Sequence, residues 1–148
     1  MFTRAVLPVT GILLVVTTVP AQDAKQEVDK LQGEWTMVSQ ETKGQKTPAE
    51  TAKGYKLTIK GDLWTFTLPK GPESKMTAKI DPTKTPKQID LTILPATVNA
   101  KAIVSRGIYK LEGDTLTLCR TMGDIDRPKD FKTTAEAGAL AVWKKVKK

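Results

Sequence analysis

From Gly33 onward, apolar and polar residues alternate with a period of two. Tyr55-Lys56-Leu57-Thr58-Ile59, Trp64-Thr65-Phe66-Thr67-Leu68, Met76-Thr77-Ala78-Lys79-Ile80 and Ile89-Asp90-Leu91-Thr92-Ile93 all follow it, as do Tyr109-Lys110-Leu111 and Leu116-Thr117-Leu118. This is the pattern of half-buried antiparallel strands. The polar face is mostly Thr, which suits an exposed strand, and Lys, which discourages edge-to-edge association. The spacing predicts eight strands, over 33–41, 54–60, 63–69, 73–81, 87–94, 102–111, 114–121 and 138–147.

Two hairpins can be placed in register. Gly61-Asp62 and Gly113-Asp114 are two-residue turns of the Gly-Asp kind. Counting outward from the first, Lys60 opposes Leu63, Ile59 opposes Trp64, Leu57 opposes Phe66 and Tyr55 opposes Leu68. From the second, Leu111 opposes Leu116, Tyr109 opposes Leu118 and Gly107 opposes Arg120. A slip of one residue would turn every one of these side chains to the other face.

Two short helices interrupt the pattern. Asp23 is placed to cap 24–32, with Gln26 as its reciprocal partner and Ala24, Val28 and Leu31 on one face, and Gly33 ends the segment. Thr47-Pro48-Ala49-Glu50 opens a second helix of one or two turns ending near Gly54. Pro82, Pro86 and Pro95 fall in connections, where they remove no ladder hydrogen bonds. The fold class expected is all-β, an eight-stranded antiparallel up-and-down barrel with a short N-terminal helix; a sandwich of seven or eight strands is the competitor. A barrel of this size is either filled by side chains or holds one small ligand.

The 148 residues suffice for one domain. Residues 1–21 read as a secretory signal: Arg4, an apolar run, then Val19-Pro20-Ala21. The run is about twelve residues, whereas a membrane span needs roughly 20. No Cys follows it, so lipid attachment at a processed Cys is excluded. Residues 22–148 are then an exported domain, periplasmic or secreted, with 23 Lys and Arg against 16 Asp and Glu, a net charge of +7. The absence of histidine excludes Ser-His-Asp and Cys-His catalysis and metal sites built on imidazole. A single cysteine, Cys119, excludes an internal disulfide, so packing alone must hold the domain.

The order of features carries a resemblance. LQGEWTMVS, GYKLTIKGDLWTF, KIDPTKTPKQIDLTI, GIYKLEGDTLTLC and RPKDF, running from Leu31 to the last strand, resemble a lipocalin-like domain family of unknown function found in exported planctomycete proteins. The resemblance implies a lipocalin-like barrel and supplies no catalytic residues. Lipocalins usually set an Arg of the last strand over the Trp of the first; this sequence offers Lys144 or Lys145 over Trp35.

Candidate site residues follow from which way each points. Trp35 either closes the barrel floor or stacks on a ligand, and its indole N–H needs a partner when buried. Tyr55, Trp64, Phe66 and Tyr109 share the inward face, as core or as the lining of a cavity for a small apolar or amphipathic ligand. Arg120 shares the parity of Leu116 and Leu118 and faces Gly107. It is a pocket-mouth cation for a carboxylate or phosphate, or a strand-end Arg that reaches solvent or pairs with Asp124 or Asp126. Cys119 has outward parity and pairs across with Ile108, a small apolar spot that could lie under the N-terminal helix. Asp124, Asp126 and Asp130 fall short of the six to eight oxygens calcium takes, so the loop reads as a turn tied down by Arg127.

These readings lead to a non-enzymatic small-molecule binding domain that is monomeric, needs no cofactor and has no metal site. Catalysis would need a carboxylate pair, and the assigned inward positions hold no Asp or Glu. The alternative is a filled barrel whose basic surface, with the tail Trp143-Lys144-Lys145-Val146-Lys147-Lys148, meets an acidic envelope polymer or a partner protein. Nucleic acid is not expected, because the aromatics follow the core pattern and do not interleave with the cations.

Overall fold

A computed structural model describes residues 21–147 except 96 and 98. The stretch read as an export signal therefore lies, up to Ala21, outside the described residues. Helix α1 spans Ala21–Leu31, followed by strands β1 (Gly33–Thr42) and β2 (Gln45–Lys46), helix α2 (Ala49–Ala52), and strands β3 (Lys56–Lys60), β4 (Leu63–Thr67), β5 (Glu73–Asp81), β6 (Lys87–Ile93), β7 (Ile103–Glu112), β8 (Thr115–Met122) and β9 (Ala139–Lys145). From β3 each strand pairs antiparallel with the next, β1 pairs with β3, and β1–β9 pairing closes the ring. The result is an eight-stranded antiparallel barrel, with β2 as a two-residue ninth strand attached to the far end of β1 through Glu41↔Lys46 and Thr42↔Gln45.

Both hairpins take the register set by their turns. Lys60 pairs with Leu63, Ile59 with Trp64 and Leu57 with Phe66; Leu111 pairs with Leu116, Tyr109 with Leu118 and Gly107 with Arg120. The ladder stops at Lys56↔Thr67, one step short of the Tyr55–Leu68 pair. Gly61 and Gly113 have φ near +60°, the left-handed conformation that two-residue hairpin turns demand. The inward residues meet in one interior: Trp35, Met37, Leu57, Ile59, Trp64, Met76, Ile89, Leu91, Tyr109, Leu116, Leu118 and Trp143 are all buried.

Three details depart from the sequence pattern. Helix α1 begins before Asp23, so that residue lies in the first turn and does not cap. In β1 a bulge between Met37 and Ser39 leaves Val38 exposed and reverses the inward parity, so Trp35 and Met37 face the core and Gln40 follows them inward. Cys119 is buried, but not beneath α1. The segment between β8 and β9 passes over the outside of β7 and β8, and the Cys119 thiol lies 3.4 Å from the Lys132 carbonyl.

That segment is fastened at several points. Arg127 donates to the carbonyls of Ile89 (2.9 Å) and Gly107 (2.7 Å) and pairs with Asp90 at 2.6 Å. Thr121 Oγ1 donates to Asp126 O at 2.9 Å, and Lys110 lies 5.4 Å from the Phe131 ring centre. Thr133 donates to Glu41 and accepts from the Gly44 N–H. The cover explains why Thr117, Cys119 and Thr121 are buried on the outer face of β8.

Candidate functional site at the open end of the barrel

The two ends of the barrel differ. At one end lie both Gly-Asp turns and α1. The Trp35 indole donates to Leu31 O at 2.9 Å, Lys145 reaches the Lys30 carbonyl at 2.9 Å, and Lys87 pairs with the buried Glu27 at 2.5 Å. Lys145, of the two candidate lysines, stands over Trp35, with Nζ 5.2 Å from the ring centre. Tyr109 is also here. Its hydroxyl lies near Glu27 yet makes no hydrogen bond of normal geometry, and burial, reinforced by the Glu27 charge, raises its pKa far above the usual phenol value. Trp35 and Tyr109 thus belong to the closed end.

The other end, where β1, β7 and β8 meet the long connections, is open. Of the seven large apolar side chains exposed in the described residues, Met122 and Ile125 line this opening, and Leu94, Ile103 and Val104 lie at the same end of the sheet. Met122 is 48 % exposed and Ile125 45 %. Exposed apolar groups beside a concave opening make it the candidate binding surface.

Arg120 sits at the neck between this mouth and the core. On its inner side is a cavity of about 30 Å³ walled by Leu57, Trp64, Phe66, Leu118 and Trp143. That is room for little more than one water. On its outer side a cleft of about 390 Å³ opens between Gln40, Met122, Ile125, Glu136 and Ala139. Both spaces touch Arg120, Gln40 and Ala139. Gly107 makes the placement possible: a Cβ there would stand 3.1 Å from the Arg120 Cβ and 2.8 Å from the Cys119 carbonyl oxygen.

The guanidinium is poorly satisfied. Its Nη1 donates to Ser105 Oγ at 3.2 Å, and the Ser105 hydroxyl itself donates to Thr121 O at 2.6 Å. Neither Asp124 nor Asp126 pairs with it, and no carboxylate among the described residues lies within ion-pair distance. The acid-pairing reading is thus corrected: Arg127, not Arg120, takes the nearby carboxylate, Asp90. Burial pulls the Arg120 pKa below its ordinary value, although a guanidinium stays charged at any physiological pH. The residue keeps partial access to the cleft. A cation held this way, with one of five N–H donors used by protein, can accept a planar anion arriving from the mouth.

The structure brings together four of the six residues singled out from sequence. Trp64 and Phe66 line the same small cavity as Arg120, and Tyr55 stacks on Phe66 with ring centres 5.5 Å apart. Phe66 in turn meets Trp143 edge to face at 5.7 Å. Trp143, whose indole N–H is buried without a partner, was readable as inward-facing from the alternation of 138–147, but its place beside Arg120 was not. Gln40, Met122 and Ile125 were missed: the bulge hides Gln40, and the other two lie where the strand pattern ends. No group of three or more His, Cys, Asp or Glu side chains is placed to hold a metal among the described residues. No helix there is long and apolar enough to cross a membrane. No protein-family model matches the chain, and no curated protein or solved structure matches it either.

Proposed function

We propose that this protein binds a small amphipathic anion at the open end of its barrel, with Arg120 holding the charged group. The observation that carries the reading is a guanidinium drawn into the neck of the barrel without a carboxylate partner and facing a cleft of about 390 Å³ walled in part by Met122, Ile125, Ala137 and Ala139. Removing a cation from water is expensive unless an anion meets it, and a ligand anion meets that need. Tyr55, Trp64 and Phe66 act as the rigid aromatic floor beneath the site. Trp35 and Tyr109 support the closed end and contribute through packing. Residues 1–21 serve as the export signal in this reading, and the lipocalin-like resemblance describes the domain that follows; the mass of the protein recovered from its host tests the cleavage.

The test is titration with a fluorescent amphiphilic anion, anilinonaphthalene sulfonate. Saturable one-site uptake is expected, reduced about 10-fold or more in Arg120→Gln, as befits the loss of a charge-assisted hydrogen bond. Absence of uptake, or equal uptake by a folded Arg120→Gln protein, rejects the proposal. A second reading rests on the small internal cavity and the surplus of cations: a filled barrel that binds an acidic polymer through its surface. It calls for polyglutamate binding that weakens steeply with salt and ignores substitutions at Tyr55 and Tyr109.

A further inference from the structure

We infer that the ligand enters headgroup first, as a monocarboxylate whose chain leaves through the mouth. This inference rests on the ligand-binding reading above and adds the orientation and the charge of the ligand. Three observations carry it. The space behind Arg120 is about 30 Å³ and is closed by Trp64, Phe66 and Trp143, so no alkyl chain fits beyond the guanidinium. The cleft in front of Arg120 is about 390 Å³ and has Met122, Ile125, Ala137 and Ala139 in its walls, so the apolar part of the ligand has a surface on the solvent side only.

The third observation is charge. Arg120 and Lys43 line the cleft against Glu136, a balance of one positive charge. A monoanion is neutralised there, whereas a dianionic phosphate monoester leaves one charge desolvated without a partner. The planar guanidinium, with one nitrogen on Ser105 and the rest open, suits the fork of a carboxylate. Tail-first entry, by contrast, would place methylenes against the guanidinium and the carboxylate among Met122 and Ile125.

Competition against the bound fluorescent anion tests this. The competitors are octanoate, its methyl ester, octyl phosphate, and a carboxylic acid carrying a bulky dansyl group at its far end. Head-first entry predicts that the dansyl acid competes within about threefold of octanoate, and that the ester is weaker by about 10-fold or more. Octyl phosphate is weaker than octanoate. Each added methylene from hexanoate to decanoate strengthens binding by no more than about fourfold. The double variant Met122→Gln, Ile125→Gln flattens that chain-length series. Both positions are exposed, so folding is not at stake. Exclusion of the dansyl acid with retention of the ester overturns the orientation and leaves the binding reading standing. Phosphate binding as tight as carboxylate overturns the monoanion assignment. If no amphiphile binds at all, both the orientation and the function fall.

Discussion

Arg120→Met should make this protein more stable. In the native barrel the guanidinium is held at the neck with Ser105 Oγ as its one protein acceptor and no carboxylate within reach. Substitution removes that hydrogen bond, a loss of about 0.5–1.5 kcal/mol. It leaves no orphaned donor, because the Ser105 hydroxyl still donates to Thr121 O. Against this stands the desolvation of the cation, several kcal/mol for a fully buried ion. Arg120 keeps partial solvent access, so about 2–3 kcal/mol is the reasonable share. Methionine also lays apolar surface against the cavity walls. The net effect is a gain of about 1–2 kcal/mol, equivalent to a rise in Tm of about 4–8 °C for a domain of this size. Urea unfolding followed by tryptophan fluorescence measures it, and Arg120→Lys, which keeps the charge, should show no gain. Octanoate should raise the Tm of the wild type and leave Arg120→Met unmoved. A loss of more than about 1 kcal/mol in Arg120→Met would refute the reasoning, because it would mean that the guanidinium has a strong protein partner.

Gly107→Ala should cost about 2–3 kcal/mol, read from the urea midpoint, because its Cβ would lie 2.8 Å from a backbone oxygen that cannot move aside. Tyr109 makes stability fall with alkali. Its folded pKa is raised, mainly by burial, so above about pH 10 the unfolded chain binds fewer protons than the native one. The loss should approach 1.4 kcal/mol per pH unit for this group, and Tyr109→Phe, which removes a hydroxyl lacking a hydrogen bond, should abolish that component without loss at pH 7; calorimetric scans from pH 8 to 11 decide it. Cys119 should stay silent to Ellman's reagent until urea unfolds the protein, since it is buried and burial, first among the causes, raises its pKa. Labelling of the native protein at the rate of a free thiol would show that the 123–138 segment opens readily.

The barrel was legible because two independent signals agreed. Gly-Asp turns fixed two registers, and the alternation put the large apolar residues of those hairpins on one face, with Ile108 and Cys119 the outward exceptions; both registers survive in the ladder. The site was legible only where that parity holds. Arg120 could be placed inward, opposite Gly107, from counting alone. Its partners could not, because Asp124, Asp126 and Arg127 lie in an irregular connection whose path depends on tertiary contacts with Ile89, Gly107 and Asp90. Gln40 was hidden for a different reason: one extra residue at Val38 inverts the pattern, and nothing in VSQET announces a bulge. Cys119 was rightly placed on the outer face and wrongly given α1 as its cover, since α1 packs at the barrel end.

The two ends of the barrel solve the same problem by different means, and the contrast is the ground for the proposed site. At the closed end the charged groups find partners within the chain, and among the described residues there only the Tyr109 hydroxyl goes without a hydrogen bond: the Trp35 indole has the Leu31 carbonyl, Glu27 has Lys87, and Lys145 has the Lys30 carbonyl. The outer face is also satisfied, with Arg127 using Asp90 and two carbonyls. At the neck, Arg120 is left with a single serine while Arg127 and Asp90 meet 2.6 Å apart on the outer face, two strands away. If stability alone shaped the barrel, an apolar residue at position 120 would fill the space beside Gly107 and the 30 Å³ cavity at lower free energy. If Arg120→Met proves more stable, a cation is held there at a stability cost next to exposed Met122 and Ile125, which is what the proposed ligand site requires.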